Sequence, residues 1–208
     1  YLAGLSMGVT PGKLGEVLKS FLIKRVAGTP IHKSAPIVVA ERVTDLLGYL
    51  ILIAVGGLAS YPELQWVFWS TLGLSLVAIF LVGSPKFAHL VSARIAKTPY
   101  VWRLKDKVRG SFEAARVLLA PKEVLGPTLL SAVSWGLECL GFWLVANALA
   151  GGELPFLFAV FTYAIGAVAG AVAIVVPGGL GVTEASVGTL LRRQIQTTLP
   201  AGDPETLA

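Results

Sequence analysis

The chain has 208 residues, of which 55% are hydrophobic and only 14% are charged, and its mean hydropathy is +0.75. A soluble globular domain carries roughly 25% charged residues, so this composition excludes an ordinary soluble domain and indicates a chain that lies largely in lipid. The net charge of +5 does not indicate nucleic-acid binding, because the basic residues occupy the polar connections between apolar segments, as in membrane proteins with cytoplasmic basic loops.

The first segment, residues 1–9, is apolar, and we interpret it as the end of a further membrane span. The chain begins there without Met and ends in a polar stretch at Ala208, so we expect it to be part of a longer protein.

Residues 10–25 predict a short helix that enters the membrane without crossing it. Pro11, Gly12 and Gly15 interrupt the apolar sequence, and Glu16 opens an apolar stretch that ends in a basic pair at residues 24–25. A helix over residues 16–25 is about 15 Å long, half of the ~30 Å hydrocarbon core. Such broken segments are tolerated where they face protein or a water-filled cavity.

The first complete span is predicted at residues 36–59, and it carries Glu41, Arg42 and Asp45 in its first turns. Glu41 and Asp45 lie on one helix face, and Arg42 is placed either to neutralise one of them or to meet an anionic headgroup. A structural ion pair at the cytoplasmic boundary is the competing interpretation.

Further spans are predicted at residues 64–83, 128–150 and 155–176. The links 60–63 and 151–154 lack Lys and Arg, whereas residues 13–33 and 84–127 are rich in both. The positive-inside rule therefore places the two basic segments in the cytoplasm and the two short links outside.

The basic loop 84–127 contains an apolar stripe at three- and four-residue steps, and most of its basic residues lie off that stripe. The stripe consists of Val101, Leu104, Val108, Phe112, Ala115 and Leu119. This pattern predicts an amphipathic helix on the anionic surface of the cytoplasmic leaflet. The alternative is a helix packed on the protein itself.

The span at residues 128–150 carries Glu138 near the membrane midplane, on a polar stripe with Ser131 and Ser134. A carboxyl at that depth indicates proton or ion coupling or, alternatively, a structural hydrogen bond to a neighbouring helix. We interpret Cys139 as a small buried apolar residue. His32 and His89 are isolated, so we expect neither a metal site nor a cofactor.

In the last span, Gly166 and Gly170 have the spacing that lets two membrane helices approach closely. Residues 177–193 then repeat the pattern of residues 10–25. Pro177, Gly178, Gly179 and Gly181 match the first Pro-Gly segment, and Glu184 precedes a second basic pair by the same interval as Glu16 does. Paired broken segments are typical of a transporter's binding site, and their helix N-termini suit phosphate or carboxylate. The alternative is two plain cytoplasmic turns.

Together these patterns predict an all-α, polytopic bundle of transmembrane helices that forms a single domain over residues 1–208 and contains two pseudo-repeated re-entrant helices. The oligomeric state is open, with a homodimer as one option.

Three blocks of sequence, in this order and at this spacing, resemble the lysylphosphatidylglycerol synthase transmembrane family, whose members are also called flippase-like. The blocks are TPGKLGE at residues 10–16, AERVTDLL at 40–47 and VPGGLGVTEA at 176–185. The resemblance covers most of the chain. It implies a many-helix protein of the bacterial or archaeal cytoplasmic membrane that handles a phospholipid or a polyprenyl-phosphate-linked headgroup.

In some members this module flips aminoacylated phosphatidylglycerol beside a soluble aminoacyl-transfer domain. No such domain is present in this sequence, so the resemblance does not extend to the synthase activity. The positions that match the family motif are Pro11, Gly12, Gly15, Glu16, Glu41, Arg42, Asp45, Pro177, Gly178, Gly179, Gly181 and Glu184.

We expect the two Pro-Gly segments to line a cavity for a lipid phosphate, with Arg42 assisting and with Glu41, Asp45 and Glu138 in supporting ionic roles. The favoured hypothesis is lipid translocation. An embedded enzyme acting on a prenyl phosphate or a headgroup is the second hypothesis, although no His or Cys is placed as a nucleophile or base. A non-catalytic anchor that recruits a partner through the basic loop is the third.

Overall fold

A computed structural model describes residues 14–58, 61–96, 105–172 and 181–198. These parts of the chain are helical and contain no strand, which confirms the predicted all-α class. The α-helices are α1 (Leu14–Ala27), α2 (Ile31–Gly56), α3 (Gln65–Gly83), α4 (Pro85–Ala96), α5 (Lys105–Leu118), α6 (Pro121–Leu149), α7 (Phe156–Val172) and α8 (Val182–Thr198).

Among the described residues, two helical segments are long and apolar enough to cross a membrane: Pro62–Gly83, which joins a 3₁₀ turn to α3, and Pro121–Leu149, which is α6. The apolar helix Phe156–Ala171 is shorter. The division of the chain into four spans remains a prediction, and the re-entrant character of residues 10–25 and 177–193 rests on residues that lie partly outside the described ranges.

Helix α2 begins at Ile31, five residues before the predicted start of the first span, and it contains Pro36. Proline has no backbone N–H, so it leaves the carbonyl four residues earlier, at His32, without its helical donor. The Ser111 hydroxyl of α5 donates to that carbonyl oxygen at 2.8 Å. A contact from a distant part of the chain therefore allows the helix to extend through the proline.

The core of the bundle lies where α2 packs against α6 and α7. Gly48 allows α2 to approach α6, because a Cβ there would lie 3.0 Å from the backbone nitrogen of Ala132. At Gly56 a Cβ would lie 2.7 Å from the backbone nitrogen of Phe161 on α7. Ile53 and Phe161 are fully buried in this interface. Close backbone contact between helices is how membrane helices gain packing energy without a hydrophobic driving force.

Helix α7 packs against α8 at Gly166, where a Cβ would lie 2.6 Å from the Val187 side chain. This contact confirms that a residue of the small-residue motif serves helix packing. Cys139 is fully buried on α6, as predicted.

The short link before α3 is covered by aromatic packing. Tyr61 stacks on Phe161 with ring centroids 4.7 Å apart. Burial, assisted by the Glu63 carboxylate, raises the pKa of the Tyr61 hydroxyl above its ordinary value.

Part of the apolar stripe of the basic loop packs on the protein, whereas Val101 and Leu104 of that stripe lie outside the described residues. On α5 and just after it, Ala115 and Leu119 are buried, and Leu119 lies in a core cluster with Val43 and Val124. Lys105, Arg109 and Arg116 of the same helix are exposed. The end of the stripe therefore packs on the protein, as in the alternative interpretation, while contact of the exposed basic residues with an anionic surface stays a prediction.

Candidate functional site

The charged residues of α2 form one cluster with polar side chains of α6. The Arg42 guanidinium lies 3.3 Å from the Asp45 carboxylate, one helical turn away. The Ser131 hydroxyl donates to Asp45 Oδ1 at 2.8 Å, and the Trp135 indole N–H donates to the same oxygen at 3.2 Å. The cluster therefore joins two helices around a single carboxylate.

The two charged groups of this cluster differ in accessibility. The Asp45 side chain is 17% exposed, whereas the Arg42 side chain is 37% exposed. Three donors converge on Asp45, so its carboxylate is held by the protein and in turn orients Arg42. The guanidinium is a planar cation with five N–H donors, a geometry that suits a carboxylate or a phosphate.

Glu41 is a weaker member of the cluster. Its carboxylate lies 3.9 Å from Arg42, and about a third of the Glu41 side chain is exposed. The three charged residues predicted as a group on α2 are therefore adjacent, but Asp45 makes the closer contact with the arginine.

Glu138 makes a separate contact between α6 and α7. The Tyr163 hydroxyl donates to Glu138 Oε2 at 2.6 Å, although Glu138 remains exposed. The Tyr49 ring packs against Trp135 with centroids 4.8 Å apart, so aromatic residues lie beside both carboxylates of this interface. The hydrogen bond is the structural alternative that the sequence left open for Glu138, and the coupling role stays a prediction.

A cavity of about 590 Å³ lies between α3, α7 and α8. Its walls combine apolar side chains, among them Trp66, Ile165 and Leu190, with hydroxyl groups and a guanidinium. The polar lining comes from Ser70, Thr71, Ser186, Thr189 and Arg193. Arg193 belongs to the basic pair that the duplication placed after Glu184. The cavity is thus amphipathic, and the Arg193 cation lies at its polar side.

The Glu184 side chain caps the N-terminus of its own helix, α8. Gly181 has a positive φ of 86°, and its backbone N–H lies 2.6 Å from the Glu184 carboxylate. The carboxylate thus accepts a hydrogen bond from one of the N–H groups that the sequence analysis assigned to a lipid phosphate. Helix α8 continues past its basic pair, whereas in α1 the pair at residues 24–25 lies in the last turn.

The remaining predicted site residues are outside what the structure describes. These are Pro11, Gly12, Pro177, Gly178 and Gly179. Gly15 and Glu16 lie at the start of α1, whose backbone alone is described there, and α1 packs against α2. Whether the two Pro-Gly segments meet therefore remains a prediction.

Sequence reasoning missed Trp135 and Tyr163, which hold the two carboxylates. The sequence spacing could have indicated Trp135, since it lies four residues after Ser131 and three before Glu138 on one face of α6. Ser134, which the predicted stripe included, is instead exposed. Tyr163 had no comparable signal, because only the packing of α7 on α6 brings it to Glu138. Within the described ranges, no group of three or more His, Cys, Asp or Glu residues is arranged to hold a metal ion.

Comparison with known proteins gives one match. The sequence model of the family described as the lysylphosphatidylglycerol synthase TM region matches residues 1–199. No curated protein and no solved structure matches the chain.

Proposed function

Because the chain belongs to the lysylphosphatidylglycerol synthase TM region family, and is a membrane protein with a lipid-related function, we propose that it translocates a lipid between leaflets. The lipid is a phospholipid or a polyprenyl-phosphate-linked lipid. The observation that supports this proposal most is the amphipathic cavity between α3, α7 and α8.

The lining of this cavity suits the two halves of such a lipid. A guanidinium and several hydroxyl groups are good partners for phosphate oxygens, whereas the apolar walls are good partners for hydrocarbon. Its volume of about 590 Å³ lies in the usual range for small-molecule sites. Helix α3, which forms one wall, is apolar and mostly exposed, so a lipid can reach the cavity from the bilayer.

The α2 cluster provides a second anion-binding group. In this proposal Asp45 positions Arg42, and Arg42 receives the phosphate near the cytoplasmic boundary. Glu138, held by Tyr163, is the proposed site of proton or ion coupling. We also assign both Pro-Gly segments, with Glu16 and Glu184, to the wall of the transport cavity. We place the protein in the cytoplasmic membrane of a bacterium or an archaeon, with the basic segments inside.

The test is a transport assay with the full-length protein in liposomes that carry a fluorescent phospholipid or, in parallel, a fluorescent polyprenyl-phosphate lipid. A membrane-impermeant quencher measures how fast the label changes leaflet. We expect Arg193→Gln and Arg42→Gln each to slow translocation about tenfold or more, because each loses a charge-assisted bond to phosphate. Lys122→Gln is the matched control, since it removes a cation that does not line the cavity.

Translocation no faster than in protein-free liposomes contradicts the proposal. Chemical analysis of the same lipids separates the enzyme hypothesis, which requires a changed headgroup and its loss in Glu16→Gln or Glu184→Gln. The anchor hypothesis requires loss of cellular function on charge reversal of residues 103–109 while changes in the Pro-Gly segments have no effect.

A further inference from the structure

A second cavity lies in the cytoplasmic basic segment, away from the proposed transport site. It has a volume of about 620 Å³ and lies between α4 and α5, where they meet the end of α3. Its charged and titratable lining comprises Lys105, Arg109, Arg116, Glu113 and His89. Among the lining residues that the structure describes, three cationic side chains therefore accompany one carboxylate, and the Arg109–Glu113 pair, 3.1 Å apart, is exposed at the helix surface.

The α5 wall of this cavity is fixed in place. Ser111 bonds to the His32 carbonyl oxygen, and a Cβ on Gly110 would lie 3.2 Å from the His32 ring, so α5 packs tightly on α2. Phe87 of α4 meets Phe112 of α5 edge to face, with centroids 5.8 Å apart. The cations are therefore presented by a packed helix pair and not by a mobile tail.

The apolar part of the cavity leads towards the membrane. Val82 and Gly83, at the end of α3, form part of its wall. Phe80 and Leu76 lie three and seven residues before Gly83, on the same face of α3, and they are 73% and 54% exposed. An apolar stripe thus runs from the mouth of the basic cavity along a helix that is apolar enough to cross the bilayer.

From this arrangement we infer that the cavity binds one anionic phospholipid of the cytoplasmic leaflet. The phosphate and headgroup lie among Lys105, Arg109 and Arg116, and an acyl chain lies along the α3 stripe. The stripe is the reason to assign a lipid and not a free phosphate, because a free anion gains nothing from it. The inference is independent of lipid translocation, since binding here involves no transport step.

Native mass spectrometry of the full-length protein in detergent tests it, with titration of phosphatidylglycerol and, in parallel, of phosphatidylcholine. The double variant Arg109→Gln/Arg116→Gln should weaken phosphatidylglycerol binding about tenfold or more, because two charged partners of the phosphate are lost. The control Lys86→Gln/Lys122→Gln removes the same charge from the same basic segment but from residues that do not line the cavity. It should change binding less than about twofold.

A gain of affinity provides a test that misfolding cannot mimic. Glu113→Gln removes the only carboxylate among the lining residues that the structure describes, so it should strengthen phosphatidylglycerol binding at least about twofold. Unchanged or weaker binding by this variant overturns the inference.

Three other results also overturn it. Equal losses in the cavity variant and its control indicate diffuse attraction to surface charge. Equal binding of phosphatidylcholine removes the requirement for an anionic headgroup. Displacement of phosphatidylglycerol by inorganic phosphate at a similar concentration indicates a site for free anions.

Discussion

Helices α2 and α3 lie next to each other in the bundle, yet they meet their surroundings in opposite ways. In the most apolar stretch of Pro62–Gly83, which contains α3, only 11% of the residues are buried. Large side chains of α3, such as Trp69 and Phe80, face outward. Helix α2 carries Glu41, Arg42 and Asp45 and buries much of its length against α6 and α7. The more apolar helix is thus the outer one, and the charged helix is central.

The difference reflects the absence of a hydrophobic driving force inside a bilayer. An apolar side chain is as stable against lipid as against protein, so apolar surface does not determine which helix is central. A charged side chain is stable only where other groups satisfy it, and Ser131 and Trp135 of α6 do so for Asp45. Polar contacts and close backbone approach therefore place α2 at the centre.

The largest effect is expected where the α2 and α7 backbones touch. Gly56→Ala should lower the free energy of unfolding by about 3 kcal/mol, because the new Cβ would lie 2.7 Å from the Phe161 backbone nitrogen, which cannot yield like a flexible side chain. Denaturation of the purified full-length protein in mixed micelles measures it. Gly73→Ala on α3 is the control, since nothing lies near its Cβ position and a gain of up to about 1 kcal/mol is expected. Equal effects at both glycines would remove the contrast between the helices.

Truncation of an apolar side chain should have the next largest effect on stability, and the effect should be larger in α2 than in α3. Ile53 of α2 is fully buried, so Ile53→Ala should cost about 2 kcal/mol through lost packing contacts and a residual cavity. Val77 of α3 is 53% exposed, and Val77→Ala should cost under about 0.5 kcal/mol. The same denaturation experiment compares them. A cost at Val77 as large as that at Ile53 would indicate that α3 is covered in the folded protein.

Substitution in the ionic cluster of α2 should lower stability more than substitution of the exposed charges of α5. Asp45→Asn should cost about 1.5 kcal/mol, because it removes the charge that holds Arg42 while keeping an acceptor for Ser131 and Trp135. Combining it with Arg42→Gln should recover part of this loss, which a double-mutant cycle detects. Glu113→Gln breaks the exposed pair with Arg109 and should cost about 0.5 kcal/mol or less. Additive effects of the two α2 substitutions would contradict the coupling.

The smallest effect concerns the proline in α2. Ser111→Ala removes the donor to the His32 carbonyl oxygen, so it should lower the free energy of unfolding by about 1 kcal/mol. Ser70→Ala on α3 should have almost no effect, because the Ser70 hydroxyl only shares a carbonyl within its own helix. Thermal melting of both variants in the same detergent compares them, and a melting temperature unchanged in Ser111→Ala would show that the carbonyl is satisfied in another way.

The sequence predicted a helical membrane chain of the right family because hydropathy and the three motif blocks are local properties. It also grouped the charges of α2 correctly, since helix periodicity alone brings Arg42 and Asp45 together. It could not choose between a lipid-facing and a protein-facing α5, because an amphipathic stripe suits either partner. Packing of Ala115 and Leu119 shows that the end of this stripe meets protein, and contact of the basic face with a membrane stays a prediction.

The amino-acid sequence by itself thus determined which segments are apolar, where the charges lie along them, and to which family the chain belongs. Only the tertiary structure decided which helix is central, that Trp135 and Tyr163 hold the two carboxylates, and that cavities open beside Arg193 and between α4 and α5. The physical reason is that these features depend on contacts between distant residues. Helix periodicity specifies which side chains share a face, but it does not specify what that face meets.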